Sequence, residues 1–247
     1  MSAQKKPPNR PKNKDGARVM AGLGGTDRRR VLVPLAMGAV VLAFIAVIAI
    51  TLVHKNSEKN VSVGPPPPAA SSDGSIRIGP RDAKVVVSAV EDFQCPACKN
   101  FEATSAAALA DIAKGPAAVD YRPIAILNRM SSTNYSTRAA SAAYCVAEAD
   151  IGKWPAWHTA MFNQQAPEGG AGLTDDKIID IARSVGIVGD QVAQCISSHK
   201  YADYVDANTA KATSSGINHT PTVSVNGKEI SNPNPDTLRA AVADAAK

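Results

Sequence analysis

The apolar positions of this chain follow different periods in different stretches, and each period predicts a different element. Residues 31–53 form an unbroken run of 23 uncharged, mostly apolar residues. As a helix the run would reach roughly 35 Å, enough to cross a bilayer. It has no polar face, which argues against a buried soluble helix. Residues 54–75 turn polar and contain Pro65-Pro66-Pro67-Pro68, a composition that favours a stiff, extended spacer. Shorter patterns then begin. Ile76-Arg77-Ile78 predicts a short edge strand. The β-branched run Lys84-Val85-Val86-Val87-Ser88-Ala89-Val90 predicts a buried one. Phe101, Ala103, Ala106, Ala107, Ala110 and Ile112 suit a helix. Residues 119–127 read as a further strand, where Pro123 argues for an edge position or an irregularity.

From about residue 136 to 215 the pattern is helical. Residues 136–149 are alanine-rich, and a short helix is expected over 154–164. The clearest helix spans 174–185. Thr174 can cap it, Asp175 and Asp176 sit in its first turn, Ile178, Ile181, Ala182 and Val185 share a face, and Gly186 stops it. Residues 190–198 and 201–214 follow. Thr222-Val223-Ser224-Val225 then runs into Asn226-Gly227, a strong hairpin signal, with Lys228-Glu229-Ile230 returning. A last helix starts at Asn234 and Pro235, with Leu238, Ala241, Val242 and Ala245 on one face. The order predicts a small α/β sheet with a block of helices, about 130–215, inserted between its halves. No internal repeat is visible.

Charge changes the picture at the N-terminus only. Residues 1–30 hold nine Lys/Arg and two Asp/Glu, so +7 of the net +5 lies there and the remainder of the chain carries −2. The tail cannot bury a core and is expected to be disordered. The folded part offers no basic patch for nucleic acid. Arg28-Arg29-Arg30 abuts the apolar run, whereas the other flank holds Lys55, Glu58 and Lys59. The positive-inside rule then places the N-terminus in the cytoplasm and the domain at 76–247 outside, on a single-pass membrane anchor. The tail could also touch anionic lipid, although a topology signal is the plainer role. A cleaved signal peptide would need an apolar region of about 7–15 residues and a small-x-small site. The run is longer, and Thr51-Leu52-Val53-His54 offers no such site.

The candidate chemistry lies in Glu91-Asp92-Phe93-Gln94-Cys95-Pro96-Ala97-Cys98. This Cys-x-x-Cys stands where a buried strand hands over to a helix, the redox reading of the spacing. Cys95 falls at the N-cap and Pro96 at the first helical position, where a missing N–H costs nothing. Free N–H groups and the helix dipole then favour a Cys95 thiolate. Cys98, one turn further in, can attack a mixed disulfide at Cys95. A structural zinc site needs about four ligands, and no second Cys-x-x-Cys exists. Haem attachment wants His where Lys99 stands. No metal or organic cofactor is indicated.

Two motifs carry a family resemblance over about 80–247. One is Phe93-x-Cys95-Pro96-Ala97-Cys98 after a hydrophobic strand, and the other is Thr220-Pro221-Thr222-Val223 opening the hairpin. Flanking a helical block in this order, they resemble the DsbA-like thiol:disulfide oxidoreductases, above all the membrane-tethered homologues of mycobacteria and other actinobacteria. The resemblance implies a thioredoxin fold with an inserted all-helical subdomain, here preceded by a single transmembrane helix. It implies that Thr220 and Pro221 form a cis-proline pair against the dithiol, with the Thr220 backbone free to bond an extended substrate. Ala97 stands where the best-known members carry His. The implied activity introduces disulfides into reduced exported proteins. The implied reoxidant is a quinone-linked membrane oxidase, DsbB-like or related to vitamin K epoxide reductase.

Cys145 and Cys195 fall in predicted helices. As free thiols they would be small core residues. With an even cysteine count outside the cytoplasm, a disulfide stapling the insertion is the expectation, and a second redox pair is the alternative. Asp92, and less so Glu91, could take the proton of Cys98, the plain alternative being a solvated loop carboxylate. His219 could face the dithiol from beside the proline pair. His158 and His199 are expected on helix surfaces, and Trp154 and Trp157 in packing. The chain carries no dimerisation domain and is expected to be a monomer. A tethered reductase or isomerase is the enzymatic alternative. A non-catalytic peptide-binding module is the other, and it predicts that Cys95→Ser leaves function intact.

Overall fold

A computed structural model describes residues 65–247. The apolar run at 31–53 and the basic tail lie outside these residues. Among the described residues no helix is long and apolar enough to cross a membrane.

Five strands form one sheet in the order β1-β3-β2-β4-β5. They are β1 Ile76–Ile78, β2 Val86–Glu91, β3 Ala118–Pro123, β4 Thr222–Val225 and β5 Lys228–Glu229. β2 and β3 are parallel, joined by helix α1, Pro96–Lys114. The other pairs are antiparallel. Val87 and Ala89 of β2 are fully buried, as the apolar run predicts. The C-terminal helix α7, Pro235–Ala245, starts at Asn234. Its side chain accepts from the Thr237 N–H, and the Thr237 hydroxyl bonds back to the Asn234 N–H. That reciprocal cap satisfies donors a bare helix end leaves open.

Pro123 is not on an edge strand, because β3 lies between β1 and β2. The ladder explains how it is tolerated. The N–H groups of Ala118 and Ile124 bond to Val85 and Glu91, so even-numbered residues face β2. The Pro123 nitrogen faces the opposite side, past Ile76 of β1, which pairs with Tyr121. No ladder bond is lost there.

Five helices stand between β3 and β4: α2 Tyr135–Ala149, α3 Trp154–Asn163, α4 Asp175–Ser184, α5 Asp190–Ser197 and α6 Ala202–Ser214. Twelve of the fifteen residues of α2 are buried, so it is the block's central helix. Its alanines and serines let neighbouring helices approach on every side, which a helix with one apolar stripe could not allow. Thr174 caps α4 by accepting from the Lys177 N–H at 3.2 Å. Cys145 of α2 and Cys195 of α5 form a disulfide with Cα atoms 5.8 Å apart. Closing a loop of 50 residues contributes on the order of 4 kcal/mol in the chain-entropy treatment.

The domain begins before residue 76, within the stretch read from sequence as spacer. Pro67, Gly74 and Ser75 are buried. The Tyr144 hydroxyl donates to the Gly74 carbonyl at 2.6 Å. Gly74 has φ +87°, and a Cβ there would lie 2.3 Å from Asn208 Nδ2. Only glycine allows this segment to close onto the helical block.

The histidine expectations also change. His158 is buried rather than on a helix surface, among Phe93, Tyr121, Trp154 and Phe162. His199 lies in the turn after α5, with φ 52° and its Nε2 2.8 Å from Asp175. Trp154 and Trp157 are packed without exposure.

Candidate active site

β2 delivers the chain to the site. Beyond Glu91, Asp92 is fully buried. One of its carboxylate oxygens accepts from the Gln94 N–H and the other from the Leu127 N–H, both at 2.9 Å. The Gln94 side chain returns to the Leu127 carbonyl at 2.8 Å. Asp92 is therefore neither a solvated loop carboxylate nor a free base. It ties the cysteine loop to the turn after β3. Burial raises its pKa to about 6, against the pull of the two backbone donors. From the helical block, Gln165 Nε2 donates to the carbonyls of Phe93 and Cys95 at 3.0 and 2.9 Å. The loop is thus held from both subdomains.

Cys95 is the N-cap of α1 in extended conformation, and Pro96 opens the helix. Both thiols are free. The Cys95 pKa falls to about 5. The Cys98 thiol donating to its sulfur is the largest cause, and the N–H groups of Cys98 and Ala97 add to it against burial. Thr220 acts in both senses: its carbonyl, 3.3 Å away, accepts from the neutral thiol, and its side chain favours the thiolate. Cys98 is pushed the other way. Burial first, then its hydrogen bond to Cys95 and the charge of Glu91, hold it well above the ordinary thiol range. A nucleophile and a reserve thiol are separated by one turn of helix.

Thr220 and Pro221 reach the dithiol because β4 pairs with β2, Thr222 opposite Val90. The Thr220–Pro221 peptide is cis. The Thr222 hydroxyl donates to the His219 carbonyl at 2.7 Å and fixes the turn. A groove of about 480 Å³ opens over Cys95, lined by Pro96, Ala97, Leu127, Glu168, His219 and Thr220 among others. His219 stands at its rim. Its ring is more than half exposed, and its two nitrogens are turned to Asn218, at 3.0 Å, and Glu229, at 3.6 Å. A larger concavity of about 760 Å³, between 68–81 and 147–152, holds no thiol.

Sequence reading missed Glu102, His158 and Gln165. Glu102 follows Cys98 by four residues, so helical spacing could have placed both on one face. Nothing local marks His158 or Gln165, which arrive by tertiary folding. Glu91, Glu102 and His158 cluster as metal ligands can. However, the two ring nitrogens face different carboxylates, Nε2 toward Glu91 and Nδ1 toward Glu102. One imidazole cannot give both nitrogens to one ion, so the ring bridges two acids and does not complete a cage.

A family model described as Thioredoxin matches residues 71–244. No curated protein matches the sequence. Among solved structures, reduced DsbA from Mycobacterium tuberculosis is 35% identical with a TM-score of 0.63, covering 70% of this chain and 92% of its own. The reduced disulfide bond oxidoreductase DsbG from the same organism is 35% identical with a TM-score of 0.64, covering 72% and 89%. MdbA, a thiol-disulfide oxidoreductase from Corynebacterium diphtheriae, shares the fold at 23% identity and a TM-score of 0.59, covering 70% and 92%. With a free dithiol at a helix N-terminus, a cis-proline against it and a helical insertion, the chain belongs to the thioredoxin family as a DsbA-like protein thiol:disulfide oxidoreductase.

Proposed function

We propose that the enzyme works as an oxidase, donating the Cys95–Cys98 disulfide to reduced exported proteins. The observation that carries this direction is the unequal pair of thiols. A reduced form with a stabilised Cys95 thiolate makes the disulfide a good acceptor of electrons. A substrate thiolate attacks Cys95, the outer sulfur at the floor of the groove. Cys98 leaves and is protonated, and a mixed disulfide remains on Cys95. A second substrate thiolate attacks the substrate sulfur of that bridge and expels the Cys95 thiolate. In balance, the enzyme disulfide and a substrate dithiol give a substrate disulfide, a Cys98 thiol, a Cys95 thiolate and one proton. The groove beside Thr220 fits an extended segment with small or apolar side chains, by bonds to backbone.

The run at 31–53 supports a single-pass membrane anchor with the N-terminus in the cytoplasm and the catalytic domain outside. The reoxidant in this reading is a quinone-linked membrane thiol oxidase, DsbB-like or related to vitamin K epoxide reductase, as the family resemblance implies. The test mixes the oxidised chain with one equivalent of a reduced, unfolded secreted protein at neutral pH. The client should gain disulfides while the enzyme thiols become alkylatable, one pair for one pair. An enzyme that stays oxidised beside a client that keeps its thiols would rule the donor role out.

A further inference from the structure

The groove over Cys95 holds one fixed charge among its described lining residues, the carboxylate of Glu168. That side chain is exposed, and among the described residues no Lys or Arg nitrogen lies within 4.0 Å of it. His219, at the rim, turns its nitrogens to Asn218 and Glu229 instead. Pro96, Ala97, Ile126 and Leu127 give the groove an apolar lining. Glu168 belongs to the loop between α3 and α4, and that loop is fixed on both sides of it. Before it, Gln165 Nε2 donates to the carbonyls of Phe93 and Cys95. After it, the Gly170 carbonyl accepts from the Ser132 N–H at 3.4 Å. Gly169, with φ +85°, brings the backbone beside Met130, whose carbonyl oxygen would lie 4.0 Å from a Cβ there. The carboxylate therefore has a defined place, although water surrounds it.

The turn next to it is apolar. The Met130 N–H donates to the carbonyl of groove-lining Leu127 at 2.8 Å. Met130 is 52% exposed, among the most exposed of the large apolar residues described. A thioether in water is an adaptable contact for varied partners. An apolar lip beside an unpaired carboxylate suits a side chain with a long apolar stem and a cationic head. We propose that Leu127, Met130 and Glu168 form a specificity subsite for a lysine or arginine close to the client's reactive cysteine. The client stem lies along Leu127 and Met130, and its head meets Glu168. The client backbone pairs beside Thr220, and its sulfur meets Cys95. This inference rests on the groove's taking an extended client segment, as proposed above. It adds which segments react fastest: cysteines in basic rather than acidic surroundings. Charge complementarity of this kind governs encounter and the choice of partner more than final affinity, so the formation of the mixed disulfide should register it.

The test uses the full chain carrying Cys98→Ser, which traps the mixed disulfide. The probes are short peptides with one cysteine disulfide-bonded to 2-mercaptoethanol and with Lys, Gln or Glu placed in turn at each nearby position. The Cys95 thiolate attacks the peptide sulfur, the bond to mercaptoethanol breaks, and mercaptoethanol leaves as a thiolate that takes a proton from water. Mass spectrometry follows the trapped peptide. At low salt, Lys should outpace Glu by about fivefold, the upper range for a solvent-exposed pair, with a peak at one position. Glu168→Gln in the same background should remove most of that ratio, and Glu168→Lys should invert it. At the peak position, diaminopropionic acid, which has the charge without the stem, should lose most of the advantage. A ratio that survives Glu168→Gln would assign the preference to the Cys95 thiolate and overturn the proposal. Equal rates for Lys and Glu, or for Lys and diaminopropionic acid, overturn it without any change at Glu168. Because Cys95 is the attacker here, none of these outcomes depends on the direction of electron flow. Failure of the donor role shows instead in the client assay above.

Discussion

Cys95→Ser should abolish exchange with dithiol substrates, lowering the rate by about 10³-fold or more. Cys95 is the sulfur that faces the groove and the one whose thiolate is favoured. A serine hydroxyl neither ionises near neutrality nor forms a disulfide. Cys98→Ser should behave differently. Its Cys95 still reacts with disulfides, but the product persists as a mixed disulfide because no second thiol is at hand to resolve it. Fold is not at stake in Cys95→Ser, since the change is near-isosteric and the loop is held through backbone atoms by Gln165 and through Asp92. Thiol consumption by a dithiol peptide, with melting as the control, reads both variants. Activity retained in Cys95→Ser would favour a peptide-binding module over an enzyme.

The reduced chain should be more stable than the oxidised one at neutral pH, and the order should reverse in acid. The folded Cys95 pKa, about 5, lies below the unfolded value of about 8.5. A depressed pKa contributes stability that is fully present above the unfolded value and is lost as pH falls through the folded one. At pH 7.5, a unit below the unfolded value, the contribution is about 3 kcal/mol. Against it stands the cross-link of the oxidised form, whose four-residue ring contributes on the order of 2 kcal/mol. At pH 7.5 the thiolate therefore wins by roughly 1 kcal/mol, which for a domain of this size means about 3 °C in melting temperature. Near pH 4 the thiolate is protonated and the cross-link decides. Melting curves of both redox forms at pH 7.5 and pH 4 check this. An oxidised form that melts higher at both pH values would contradict the depressed pKa.

The parts of the site legible in the sequence are those written locally. Cys-x-x-Cys with proline after the first cysteine fixes its own helix start. Asn234 and Thr174 announce their helices because capping acts over three residues. The hairpin at Asn226-Gly227 falls where turn chemistry puts it. The proline pair could be placed against the dithiol only through the family pattern, because its partner lies 125 residues away. The parts that stayed hidden depend on tertiary convergence. His158 looks like any histidine on an amphipathic helix until α3 packs against α1. Asp92 looks like a loop acid until the Leu127 turn closes over it. The segment from 67 to 75 reads as spacer because its anchoring is made by Gly74 and Tyr144 rather than by an apolar pattern. Pro123 misled because a central strand can carry proline where its neighbour is too short to need the missing donor.

The most direct test of the oxidase reading is the reduction potential of the Cys95–Cys98 pair. The chain would be equilibrated in glutathione buffers and its free thiols alkylated and weighed. The account predicts a value toward the oxidising end of the family's range, nearer about −120 mV than about −270 mV, even with Ala97 between the cysteines. A value near the reducing end would contradict it and make the enzyme a disulfide reductase.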